Sequence, residues 1–123
     1  MAIFIVFASS ICTDRGKLII SSPWKPQAVF RDTSRLNLET LGMKNDLIIF
    51  NADHLWTATI SGQSVSGSWR LNNNDSILFM KNFNIKDSMN LNIKMLDNNF
   101  LNLWYYEQHT IGQRIKVEMK LIH

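Results

Sequence analysis

From Lys17 onward the chain alternates apolar and polar residues at every second position. Residues 114–123 show this most plainly, with Ile115, Val117, Met119 and Leu121 apolar and Lys116, Glu118 and Lys120 between them. On an extended backbone the two sets point to opposite faces, so one side meets a core and the other meets water. Wound into a helix, the same residues would scatter around the axis. A strand is the reading that satisfies them.

The pattern recurs. Residues 64–71 set Val65, Gly67, Trp69 and Leu71 against Ser64, Ser66, Ser68 and Arg70. Residues 88–96 set Met89, Leu91, Ile93 and Met95 against Asn90, Asn92 and Lys94. With residues 27–31, 46–50, 55–60, 76–80 and 99–107, about eight strands are predicted. Between them lie turn-forming clusters: Asn51-Ala52-Asp53-His54, Ser61-Gly62-Gln63, Asn72-Asn73-Asn74-Asp75, Asp97-Asn98 and Thr110-Ile111-Gly112-Gln113. Asn, Asp and Gly accept the positive φ that tight hairpins need.

Residues 32–43 break the rhythm. Leu36, Leu38 and Leu41 fit neither period, and Asp32 or Thr33 followed by Gly42 predicts a loop or one or two helical turns. Elsewhere the connections are of hairpin length. An all-β, antiparallel up-and-down barrel is therefore expected over residues 17–123, ahead of a two-sheet sandwich.

Composition narrows the functional classes. A chain of 123 residues that is 46% hydrophobic, with four Trp and seven Phe, offers enough apolar surface for one folded domain. The net charge of +3 is mild, and the basic residues are dispersed among acidic ones. No cationic stripe marks a nucleic-acid face. The lone Cys12 excludes an internal disulfide and a cysteine-based structural zinc site.

The first sixteen residues read differently. Ala2-Ile3-Phe4-Ile5-Val6-Phe7-Ala8 is apolar, and Ser9-Ser10-Ile11-Cys12 follows. This run is too short to cross a bilayer, which takes about 20 residues. It suits the core of an export signal, or the end of a lipoprotein signal before a lipid-modified cysteine, although basic residues are missing and Ile11 is large for that position. A first β-strand and a frayed tail are the other readings.

Three motifs in order carry a resemblance: Ser22-Pro23-Trp24-Lys25, then Phe50-Asn51-Ala52-Asp53, then Gly67-Ser68-Trp69-Arg70-Leu71. The chain resembles the bacterial lipocalin-like domain family over roughly residues 18–122. It departs from that pattern at His54, where the family usually has glycine. The resemblance implies a small barrel, often exported to the periplasm or cell envelope and tethered there through an N-terminal lipid.

The residues expected to face inward are Ile48, Phe50, Trp56, Ala58, Ile60, Val65, Trp69, Leu71, Ile77, Phe79, Met89, Leu91, Ile93, Met95, Leu101, Leu103, Tyr105, Ile115, Val117 and Met119. Such a set builds either a packed core or an apolar ligand cavity. For the cavity, the expected contacts to a small apolar or amphipathic ligand are Trp56, Trp69, Met89, Met95, Leu103, Tyr105, Glu107 and Met119. Glu107 shares the face of Tyr105 and is the polar oddity among them. Trp24 and Trp69 are expected to stack at one barrel end. His54 and His109, both in or beside turns, form no metal-ligand pair. No nucleophile elbow, phosphate loop or triad signature is present. A non-catalytic binding domain without cofactor or metal is thus expected. The alternative is a solid-cored module that binds a partner protein through loops or exposed aromatics, with Phe83, Ile85, Trp104 and Tyr106 expected on the outer face or in a loop.

Overall fold

The computed structural model describes residues 13–21, 23–85, 87–108 and 112–123. The apolar run before Cys12, Cys12 itself and His109 lie outside the described residues. One short helix, α1 (Asp14–Ile19), precedes nine antiparallel strands: β1 (Lys25–Arg31), β2 (Ser34–Arg35), β3 (Leu47–Phe50), β4 (Leu55–Ile60), β5 (Gln63–Leu71), β6 (Ile77–Asn82), β7 (Asp87–Leu96), β8 (Phe100–Gln108) and β9 (Arg114–Ile122). They form a single sheet in the order β2-β1-β9-β8-β7-β6-β5-β4-β3. From β3 to β9 every strand pairs with its successor, as in an up-and-down meander, and β1 returns to pair with β9.

The sheet curls until its two sides meet at one bridge. The Trp24 amide donates to the Ile48 carbonyl (2.8 Å), and the Ile48 amide donates back to Trp24 (2.9 Å). The result is a strongly curled barrel rather than a two-sheet sandwich. Residues 32–43 form a turn, the two-residue strand β2 and a loop, without a helix. The α1 helix falls instead at Asp14–Ile19. Thr13 caps it, accepting from the Gly16 amide at 3.0 Å, while Asp14 and Lys17 complement its two ends.

Hairpin geometry follows the turn residues. Ser61 and Gly62 have φ of 50° and 81°, the positive pair that a two-residue type I′ turn requires. His54 takes φ 65° and holds its place through Trp69, whose amide donates to the His54 carbonyl at 2.9 Å.

Two inward expectations change. In β6 it is Leu78 and Met80 that face the interior, not Ile77 and Phe79; Leu78 is fully buried. The run Ile77-Leu78-Phe79-Met80 is apolar on both faces, so alternation alone leaves its phase open. Pairing settles it: Leu78 lies opposite Leu71 and Leu91, while Phe79 lies opposite Arg70, whose guanidinium covers its ring at 4.1 Å. In β7 a bulge between Ile93 and Met95 inserts one residue. Beyond it the faces exchange, so Met95 turns outward and Leu96 packs on the core.

The core is densest where β9 ends. Ile19, Trp24, Leu78, Leu101 and Leu121 are essentially inaccessible to water. Burying each such side chain contributes roughly 1.5–3 kcal/mol. The Trp24 indole N–H donates to the Ile19 carbonyl (2.9 Å), and its ring lies 3.7 Å from that of His123. Trp24 therefore stacks on His123. Trp69 has other ring partners, Phe50 at 5.6 Å and His54 at 5.2 Å.

Candidate functional site

At the opposite end the inward side chains do not meet. They leave a cavity of about 440 Å³, within the range of small-molecule sites. Leu91, Leu103 and Leu121 form its floor, at the top of the packed core. Ile48, Phe50, Trp56, Met80 and Met119 line its walls. Leu41 and Met43 from the loop before β3, Ile60 at the end of β4, and Ile85 and Met89 flanking the β6–β7 turn surround its mouth. Ile85 is 66% exposed and Met89 41%, so apolar surface continues from the cavity out to solvent.

The wall at Trp56 depends on glycine. Trp56 lies directly opposite Gly67, and its indole N–H donates to the carbonyls of Ser68 (3.0 Å) and Lys81 (3.2 Å). A Cβ on Gly67 would fall 1.7 Å from the Lys81 carbonyl oxygen and 2.7 Å from the indole nitrogen. The backbone of β5 must therefore carry no side chain at that point. The Trp N–H is satisfied within the sheet, and the ring presents an apolar face to the cavity.

Of the residues expected to contact a ligand, Trp56, Met89, Leu103 and Met119 line this cavity together. Trp69 is buried in the core away from it, donating its indole N–H to the Asn51 carbonyl at 3.0 Å. Met95 faces outward, where its sulfur accepts from Asn102 at 3.8 Å. Tyr105 packs against the core without lining the cavity. Burial raises its phenol above the usual value of 10.0, and the neighbouring Glu107 carboxylate adds to the effect. Glu107 shares that inner face but is ion-paired with Arg31 of β1 at 3.1 Å, both side chains being partly exposed.

Asp46, Leu41, Met43 and Met80 belong to the cavity without having been singled out, and Ile85, expected on the outer face or in a loop, stands at its rim. Leu41, Met43 and Ile85 sit in turn segments where alternation says nothing; apolar residues stranded among turn formers were the available signal. Asp46 opens a strand in the sequence and looks like an ordinary turn acid. In the structure it is only 5% exposed, and its Oδ1 accepts the Ser61 amide at 2.9 Å.

The outer surface offers less enclosure. A depression of about 630 Å³ runs over β5, β6 and β7 past His54, Arg70, Phe79 and Asn90, but it lies open to solvent. Trp104 and Tyr106 form an edge-to-face pair at 5.4 Å, covered by Lys116 and Arg114 respectively. Among the described residues no three His, Cys, Asp or Glu side chains gather as a metal-binding group. No described helix is long and apolar enough to cross a membrane.

No family model matches the chain, and no curated protein matches it. Among solved structures it is similar to a DUF4847 family protein from Bacteroides vulgatus, with a TM-score of 0.61. Identity is 13%, and the alignment covers 87% of this chain and 95% of that one. At that identity the likeness extends to the fold alone.

Proposed function

We propose that this protein is a non-catalytic binding protein that takes a small apolar or amphipathic molecule into its barrel. One observation carries the reading: the apolar cavity that opens at the mouth end, whose lining continues into exposed Leu41, Ile60, Ile85 and Met89. A cavity that only compensated for loose packing would have no need of an apolar rim, because exposed apolar groups around an opening cost solubility and serve contact. Four methionines, Met43, Met80, Met89 and Met119, give a lining that adapts to more than one chain shape.

Native mass spectrometry of the purified protein tests this, together with titration of an apolar fluorescent probe. The expected result is a retained mass that disappears on denaturation, or one probe bound per chain. Met119→Trp, which fills the cavity from β9, should lower probe affinity by about tenfold or more while the fold persists. Probe binding unchanged by that substitution would move the site out of the barrel.

The second reading, a partner-binding module, draws on the outer Trp104–Tyr106 pair, of which Tyr106 is exposed. Its rings are already covered by cations of the same chain, which makes the interior the better-supported site. An envelope location with a lipid on Cys12 is part of the same proposal, motivated by the apolar run before that residue. Labelling of cells with a tagged fatty acid, compared with Cys12→Ala, tests it; equal labelling of the two chains would remove the tether.

A further inference from the structure

The charge of the cavity bears on which amphiphile it takes. Two carboxylates, Asp46 and Asp87, line it, and among the described residues no lysine, arginine or histidine does. Asp46 is the telling one. Its Oδ1 is occupied by the Ser61 amide, whereas its Oδ2 receives no hydrogen bond from the described residues. The side chain is nevertheless more than nine-tenths buried. What remains accessible of Asp46 faces the cavity, so the second oxygen of this largely buried carboxylate is open to a donor carried by a ligand. Asp87, at the exposed mouth, uses one oxygen to accept the Ser88 amide at 2.9 Å.

Several cations of the chain are engaged away from the cavity. Lys44 pairs with Glu39 at 2.9 Å, and Arg31 with Glu107. Arg35, Lys120, Lys116 and Arg114 lie over aromatic rings on the outside of the sheet. Among the described residues, then, the charged side chains that line the cavity are both acidic.

Resting on the reading of the cavity as a binding site, we propose that it selects an amphiphile whose head donates hydrogen bonds and is not an anion, an ammonium head fitting best. The head meets Asp46 Oδ2 just inside the mouth, and the chain extends towards Leu91, Leu103 and Leu121. A fatty-acid carboxylate would bring a like charge beside two carboxylates and would supply no donor.

Three ligands of equal chain length separate the terms: decylamine, decanol and decanoate, titrated by calorimetry into the whole chain near neutral pH. The expected order is amine tightest, alcohol intermediate and carboxylate weakest, with amine and carboxylate at least about tenfold apart. Asp46→Asn keeps an Oδ1 acceptor for Ser61 and should collapse most of that ratio while leaving decanol within about threefold. Asp87→Asn, at an exposed site, should lower the ratio by a smaller factor and serves if the first variant does not fold. Decanoate binding as tightly as decylamine to the native chain overturns the head selectivity and leaves the cavity reading standing. A ratio unchanged in both folded variants also overturns it. Binding of none of the three defeats the cavity reading itself, and the selectivity with it.

Discussion

The two ends of the barrel are built from the same alternating strands and finish differently. Where β9 ends, Ile19 and Trp24 enter from outside the sheet and meet Leu78, Leu101 and Leu121, so that water is excluded. At the mouth, Leu41 and Ile85 from the connecting segments and Ile60 at the end of β4 stand around the opening without filling it. The inward pattern along a strand therefore does not decide between core and cavity. That is decided by what the connecting segments insert, and here only α1 and the residues after it supply a plug.

If the ends differ in this way, substitutions at them should separate stability from binding. Leu101→Ala, at the closed end, should cost about 2–5 kcal/mol in urea unfolding, because no neighbour can move into the space. A loss below about 1 kcal/mol would mean that the closed end is looser than its burial implies.

Ile85→Ser, at the rim, should change stability by no more than about 0.5 kcal/mol while weakening an apolar probe several-fold. Equal losses of stability at both sites would erase the contrast between the ends. Tyr105 gives a pH test of the wall between them. Its folded phenol titrates above its unfolded value of 10.0, so the folded state holds the proton more tightly. Its contribution is complete below pH 10.0 and is lost as pH rises through the folded value. Tyr105→Phe should flatten that part of the alkaline decline in thermal stability; an unchanged slope would place the ring in a wetter setting. Least of all, Glu107→Gln should alter stability by at most about 1 kcal/mol, since its pair with Arg31 is partly solvated.

Strand existence was legible wherever one face was polar. The strand over Leu55–Ile60 stands where its alternating Trp56 and Ala58 put it, and the final strand likewise. Legibility failed where composition carried no phase, as in Ile77-Leu78-Phe79-Met80, where partners on both sides fixed the register. It failed again at Met95, because a bulge leaves little trace in a sequence and exchanges the faces of every residue beyond it. Helix α1 was missed although Thr13-Asp14 is a capping signal, since six residues are too few to show a period. Of the cavity, four of the eight expected residues line it, all of them on regular strands. Of its mouth, Ile60 and Met89 were legible from alternation, whereas Leu41, Met43 and Ile85 lie in loop and turn segments and join them only through the closing of the barrel.

The seam at Trp24 and Ile48 also bears on how the chain reaches this form. Strands β3 to β9 each pair with a sequence neighbour, so their contacts close short loops and can zip from one hairpin to the next. The ladder of β1 with β9 joins Lys25 to Ile122, and Trp24 must then meet Ile48 across the gap. The β1–β9 contacts close nearly the whole chain and carry the largest loop entropy, whereas the Trp24–Ile48 bridge closes a much shorter loop. These loop costs predict that the meander forms before the N-terminal strand docks, so in pulsed hydrogen exchange the amides of β1 should gain protection after those of β5 to β8. Until that docking, both Trp24 and the far edge of β3 are exposed, and the barrel interior stays open along its length rather than only at its mouth.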